Sequence, residues 1–352
     1  MKTIRLLLLA LAPLSFSAAF AQAAPAEKKT YGVAWSHYTG WEPWAYAEES
    51  GILKKWGDKY GIGIKLSLIN DYVESINLYT AGKFDACVMT NMDALTIPAV
   101  GGVDSTAVIV GDFSNGNDGI VLKKGKTVAA LKGRTIKLVQ LSVSHYLLSR
   151  ALMMNSMSEK DVKIVNTSDA DIGSVFAADP DGNAVTWNPI LMKARNTKGT
   201  TMVFDSSAIP GEIMDLMVVK TAAPEELKKA LTGAWYETMK AMSGKDKKGA
   251  AALASMAKFA GGTTAEFKAQ LKTTRMFYDA MEGADFAKGA DIKKTMEYVR
   301  TFSFDHGLFG EHAANKDFVG IAFPDGSVLG DKNVVKFRFT DGYMKLAAEG
   351  KL

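Results

Sequence analysis

Trp35-Ser36-His37-Tyr38-Thr39-Gly40-Trp41-Glu42-Pro43-Trp44 gathers three of the chain's six tryptophans, with a tyrosine, a histidine and a carboxylate, into one short stretch. It follows a strand-like run, Thr30 to Ala34, and contains a proline suited to the first turn of a helix. Tryptophan is much buried wherever it sits, so a core role is the plain alternative. Rings crowded into a strand-to-helix turn, rather than repeated at helical spacing, favour a small-molecule pocket.

Outward from this stretch the chain alternates. Strands are expected at 31–35, 64–69, 86–89 and 105–110, with helices at 42–50, 52–60 and 73–81 and another opened by Thr90–Asp93. That order predicts an α/β fold on a doubly wound, mostly parallel sheet. Near Gly116–Gly119 the character changes and a second unit follows. Its strands are expected at 120–122, 134–139, 161–165, 184–187 and 201–204, with helices running to about Met154 and Ala178. Residues 205–215 lead back to the first unit, and 224–309 read as mostly helical. The tail mixes short strands with a last helix from Tyr343.

At 352 residues about two domains are expected. Lys2 and Arg5, the apolar run Leu6–Leu14 and the small residues of Ala19–Ala23 read as a secretory signal peptide, cut after Ala21 or Ala23. The mature protein is therefore expected to be exported and soluble. Cys87, the single cysteine, allows no internal disulfide, no multi-thiolate zinc site and no lipid-carrying cysteine behind the leader. The formal charge of +4 falls to +2 without Lys2 and Arg5 (4 − 2), and the basic residues are dispersed, so no nucleic-acid partner is expected.

Catalytic motifs are poorly represented. Ser142, Ser144 and His145 lack a Gly-x-Ser-x-Gly elbow, and Glu311-His312 lacks the second histidine of an HExxH site. No phosphate-cradling glycine loop is present, and no metal, cofactor or enzymatic activity is expected. What recurs is an aromatic with a carboxylate or amide at successive strand ends, the usual ligand-binding edge of such sheets. Trp35, Tyr38, Trp41, Glu42, Asp71, Asn91, Asp93 and Asp112 come from the first half. Ser142, Ser144, His145, Trp187 and, in the return segment, Glu212 complete the candidate ligand set. Plain N-capping competes for Asp71 and Asp93, a satisfied helix-start position for His145, and core packing for Trp187. Loops of two lobes that face one cleft can close on a ligand about a hinge.

Several segments together resemble the substrate-binding proteins of nitrate/sulfonate/taurine-type ABC transporters. They are Gly51-Ile52-Leu53-Lys54-Lys55, Ala81-Gly82-Lys83-Phe84-Asp85, Leu131-Lys132-Gly133-Arg134, Ser142–Tyr146 and Thr186-Trp187-Asn188-Pro189, within about residues 30–220. Leu141 stands where that family usually has glycine, and Asn188 where an acid is common. The resemblance is greatest to the branch labelled putative urea transport, beside urea-carboxylase-type genes. It implies a two-lobed periplasmic-binding-protein fold of type II, each lobe with a doubly wound, mostly parallel sheet, and a helical C-terminal extension. Residues 1–23 would be the signal peptide, 24–113 with 210–352 the first lobe, and 114–209 the second. It also implies a monomer in the periplasm that hands a small ligand to a membrane permease driven by a cytoplasmic ATPase. The same fold serves thiamine-pyrimidine synthases, which use a cleft histidine as a reactant.

The residues themselves speak to ligand charge. The strand-end loops carry acids and rings but no Arg or Lys, which suits a small cation or a neutral N–H donor. The expected ligand is a small planar nitrogen compound, urea or guanidine-like. The alternative is an anion such as nitrate, taurine or an aliphatic sulfonate, held by hydroxyls and amides.

Overall fold

The computed structural model describes residues 28–352, so the expected leader lies outside the described residues. Strands β1 (Thr30–Trp35), β2 (Gly63–Leu68), β3 (Ala86–Thr90) and β4 (Ser105–Ser114) are followed by β5 (Asp118–Leu122), β6 (Thr135–Leu138), β7 (Lys163–Asn166), β8 (Asn183–Trp187) and β9 (Thr201–Asp205). Then come β10 (Met214–Lys220), β11 (Thr274–Met276), β12 (Gly320–Ala322), β13 (Val328–Leu329) and β14 (Val335–Phe339). Helices α1 (Glu42–Glu49), α2 (Ile52–Lys59), α3 (Tyr72–Thr80) and α4 (Asn91–Ala94) lie among the first strands. Helices α5 (Val143–Met154), α6 (Asp169–Ala178) and α7 (Ile190–Arg195) lie among β6 to β9. The C-terminal region adds α8 (Glu225–Ser243), α9 (Lys247–Phe259), α10 (Thr264–Leu271), α11 (Ala280–Lys288), α12 (Ala290–Asp305) and α13 (Gly342–Ala348).

Two sheets form. The first runs β13-β12-β14-β4-β10-β3-β1-β2, with β11 added beside β4, and the second runs β7-β6-β8-β5-β9. Pairs such as β1–β2, β1–β3 and β6–β8 are parallel, as the alternation of strands and helices predicts. Both sheets are nevertheless mixed. The chain enters the second sheet on β5 and re-enters the first on β10, and each of these strands runs antiparallel to both its neighbours. Strand β4 also runs past the expected end at Val110 to Ser114. Asp112 therefore lies inside a strand rather than in a loop.

The two crossings between the sheets are stitched together. Ser114 and Ser206 hydroxyls bond at 2.6 Å, and the Ser206 oxygen also accepts from the Gly116 amide at 2.7 Å. Core formation follows the apolar runs: every residue of β3 and β5 is buried. Trp44, buried in the first turns of α1, stacks on Trp235 of α8 with ring centroids 5.0 Å apart. It fastens the C-terminal helices to the first sheet.

Candidate functional site

Strand register builds the site. Across β3, β10 and β4, Thr90, Asp215 and Asp112 sit in one row, since Asp215 is paired with Thr90 on one side and Asp112 on the other. Two acids directly opposite in an antiparallel ladder repel each other, so this pairing costs stability unless something charged or a proton intervenes. In the second sheet Asp118 is paired with Trp187 across β5 and β8. Each lobe thus presents carboxylate and neighbour as a consequence of a single register.

Between the sheets lies a small chamber of about 10 Å³, lined by Tyr38, Trp41, Tyr72, Thr90, Asp118, Val143, Trp187, Ile213 and Asp215. That is about the room one water needs. Its rings touch: Trp41 lies 5.1 Å from Tyr38 and 5.4 Å from Tyr72, and Tyr72 meets Trp187 edge-on at 5.7 Å. A second void of about 10 Å³ shares Trp41 and Asp215 as walls and is completed by Asp112, Gly111, Trp44 and Trp235. No Lys, Arg or His lines either space among the described residues.

The lobes are closed over this chamber. Trp187 Nε1 donates to the His37 carbonyl at 3.3 Å, and the Tyr72 amide donates to Asp169 Oδ1 at 3.2 Å. Outside it opens a wider groove of about 680 Å³ between α6, α7 and the end of α9, with His37 on its wall.

Electrostatically the chamber is unsatisfied. One oxygen of each of Asp112, Asp118 and Asp215 is buried without a hydrogen-bond partner, and so is Trp41 Nε1. Asp112 and Asp215 face each other and share a proton when Asp215 is protonated, so the Asp118 oxygen and Trp41 Nε1 are the orphans that mark a place for a polar guest. Burial pushes the Asp118 carboxyl up to about 7 and raises that of Asp112 as well. Asp215 is driven well above the usual carboxylate range, by burial first and then by the charge of Asp112. Gly40 closes the roof: a Cβ there would lie 2.5 and 2.8 Å from the two Asp112 oxygens and 2.7 Å from the Tyr38 ring.

Of the residues expected from the sequence, Tyr38, Trp41 and Trp187 line the chamber, and Asp112 borders it while accepting from the Tyr38 hydroxyl at 3.5 Å. The rest are placed elsewhere, each for a visible reason. Trp35 is buried behind the loop, edge-on to His37 at 5.5 Å. Glu42 is buried in α1 against His37 Nδ1 at 2.8 Å, and its carboxyl is raised by burial. Asp71 caps α3 by accepting from the Glu74 amide at 2.9 Å.

Asp93 stands one layer back. Its Oδ2 accepts from the Tyr72 hydroxyl at 2.6 Å and from the Thr90 hydroxyl at 2.8 Å, so it orients two lining residues. Asn91 ties the return segment, accepting from the Met214 amide at 3.0 Å and donating to the Glu212 carbonyl at 3.2 Å. The Glu212 carboxylate is taken by Arg150 in a two-point pair at 2.8 Å and by the Tyr146 hydroxyl. Ser142 caps α5, and Ser144 is buried in its first turn with an unpartnered hydroxyl. His145 turns away from the chamber towards Phe302 and His306.

Six lining residues lie outside the set expected from the sequence: Asp118, Asp215, Tyr72, Thr90, Val143 and Ile213. Asp215 had a signal, a lone acid inside the apolar run Met214–Val219, where an isolated charge is costly. Asp118 looked like part of a turn between Gly116 and Gly119, and only the pairing with Trp187 places it. Leu141, the residue standing where glycine is usual, has φ 64, so the turn keeps the left-handed geometry with a leucine in it.

The family described as NMT1/THI5 like matches residues 45–235, more than half of the chain. No curated protein matches in sequence. Among solved structures, the alkanesulfonate-binding protein SsuA of Xanthomonas axonopodis pv. citri, bound to MOPS, is similar with a TM-score of 0.66 and 15% identity, over 81% of this chain and 96% of that one. The aliphatic sulphonate binding protein SsuA of Escherichia coli gives 0.66 and 16%, over 81% and 95%. The periplasmic nitrate-binding protein NrtA of Synechocystis PCC 6803 gives 0.63 and 10%, over 92% and 89%. At these identities the likeness speaks for the fold: α/β, two mixed sheets, the type II architecture of periplasmic binding proteins.

Proposed function

Since the chain belongs to the NMT1/THI5-like family, we propose that it is the periplasmic solute-binding component of an ABC importer, which captures a small planar nitrogen compound, urea or guanidine-like, between its lobes and delivers it to a membrane permease. One observation carries the ligand: three buried aspartates, of which Asp118 keeps an oxygen without a partner, meet four aromatic side chains, with no basic residue among the lining. Aromatic faces and carboxylates together suit a flat cation or a multiple N–H donor, through ring-face attraction and charge-assisted hydrogen bonds. The carboxylates are spread too widely to clamp a single metal ion; among the described residues only His145, Glu159 and His306 converge that closely. With room for about one water, the closed chamber admits a polyatomic guest only if the lobes part.

A second reading draws on the solved relatives, whose names give alkanesulfonate, aliphatic sulphonate and nitrate as ligands. In it the transport role is the same and the ligand is an anion, received by Trp41 Nε1 and the hydroxyls of Tyr38 and Thr90. The three acids around the two voids oppose an anion when ionised, and where burial keeps them protonated they can donate to one instead. Isothermal calorimetry with guanidinium, urea, nitrate, taurine and an alkanesulfonate decides between the two. Binding of guanidinium or urea supports the first reading, and tight nitrate or sulfonate binding without either of them replaces it with the second.

A further inference from the structure

We propose that Glu159, His145 and His306 form a proton-operated latch that ties the second lobe to the helical region packed on the first. Glu159 opens the short turn Glu159–Asp161 ahead of β7, His145 stands in the first turn of α5, and His306 closes the C-terminus of α12. Helix α12 belongs to the first lobe's side: Thr295 bonds the Gly211 carbonyl of the return segment at 3.3 Å, and Met296 meets Asn91.

Hydrogen-bond accounting assigns the protons. His306 Nε2 is 2.8 Å from Glu159 Oε1, and its Nδ1 is 2.8 Å from the Phe302 carbonyl. Both neighbours can only accept, so both ring nitrogens donate and His306 is an imidazolium. His145 differs. Its Nδ1 accepts the Leu141 amide at 3.2 Å, and its Nε2 lies 3.2 Å from Glu159 Oε2 without the alignment of a hydrogen bond. Each carboxylate oxygen therefore faces one ring.

These donor atoms all lie within 4.8 Å of one another, a spacing a metal ion could also use. A metal on His145 Nε2 would force a proton onto Nδ1, against the amide hydrogen of Leu141. The arrangement suits a proton instead. The groups facing His306 are Glu159, the His145 ring 5.1 Å away and, on its own helix, Asp305, with Phe302 stacked beneath at 4.0 Å. Its titration lies above the ordinary histidine value, first because of the bond to Glu159 and then through the Phe302 carbonyl, against desolvation. Glu159 is held far below the usual carboxylate range by the two histidines.

The latch is complete below the His306 titration and is lost as the pH rises through it. A neutral ring carries one N–H and must give up either Glu159 or Phe302. Because Val143 of the same α5 turn lines the chamber, loosening this corner frees the second lobe's wall. The test needs no ligand, so it stands whether or not a nitrogen compound binds. Histidine ring resonances and the small-angle-scattering radius are followed from pH 5 to 10, with the His306 signal assigned by its loss in His306→Gln. Expected are a His306 titration above 6.5 and a radius that grows over the same interval. In Glu159→Gln the titration moves down and the radius step disappears; in His306→Gln the radius stays wide throughout. A His306 titration at or below 6.5, a radius step that survives in Glu159→Gln, or zinc shifting both ring signals at micromolar concentration overturns the latch.

Discussion

Replacing Asp118 by Asn should weaken ligand binding and strengthen the fold in the same molecule. The carboxyl is fully enclosed and raised from 3.8 to about 7, because burial disfavours its charge and only Ser114 offsets this. Three units at about 1.4 kcal/mol each set an upper bound of about 4 kcal/mol of destabilisation once the group is ionised. The sign follows from proton linkage. Between about 4 and 7 the folded protein holds a proton that the unfolded chain has released, so stability falls as the pH rises through that window and the full cost is present above it. Asn has the same shape and no charge to desolvate. The variant should therefore unfold at higher urea than wild type at pH 8 and at nearly the same urea at pH 4, with an unchanged slope. Binding moves the other way: a charge-assisted hydrogen bond of about 1.5–3 kcal/mol is lost, roughly ten- to a hundredfold in Kd for guanidinium. Calorimetry at fixed ionic strength measures it. Wild-type affinity in the variant, or lower stability at pH 8, would falsify the assignment of Asp118 to a charged ligand site.

Four further outcomes are expected. Trp41→Ala and Trp187→Ala should each cost about 2 kcal/mol of guanidinium affinity, whereas Trp35→Ala should lower the unfolding midpoint and leave Kd unchanged; equal effects on binding would place all three in one role. Gly40→Ala, whose methyl would lie 2.5 Å from an Asp112 oxygen, should raise Kd at least about tenfold without unfolding the protein, read by calorimetry beside circular dichroism. Affinity for a cation should fall as the pH drops below about 7, where Asp118 takes up a proton, by about tenfold per unit for each proton displaced; a flat profile from pH 8 to 5 would argue for a neutral or anionic ligand. Asp71→Ala should cost about 1 kcal/mol through the lost cap of α3 and leave ligand affinity unchanged, measured by urea unfolding and calorimetry.

Much of the architecture was legible because it rests on local periodicity. The alternation from Tyr31 to Val110 yields β1 to β4 with their helices, and the change near Gly116 marks the passage to the second sheet. Asp71 as a cap follows from residue type beside an apolar run, which is a short-range property. The aromatic loop also carried its own message, since Tyr38 and Trp41 reach the chamber from it. What remained hidden depends on partners distant in the chain. Trp35 and Trp41 lie six positions apart and look alike in sequence; one ring is covered by the loop and the other forms the chamber wall.

The carboxylates show the division most clearly. Composition and order determined an α/β chain with acids and rings at its strand ends and no Arg or Lys beside them. Which acids face one another was decided by β10 inserting antiparallel between β3 and β4, which sets Asp215 against Asp112, and by β5 pairing with β8, which sets Asp118 beside Trp187. Register is a property of two strands at once, and a slip of one residue would turn each of these side chains to the opposite face. The sequence could therefore supply the chemistry of the site, while long-range strand pairing chose the members.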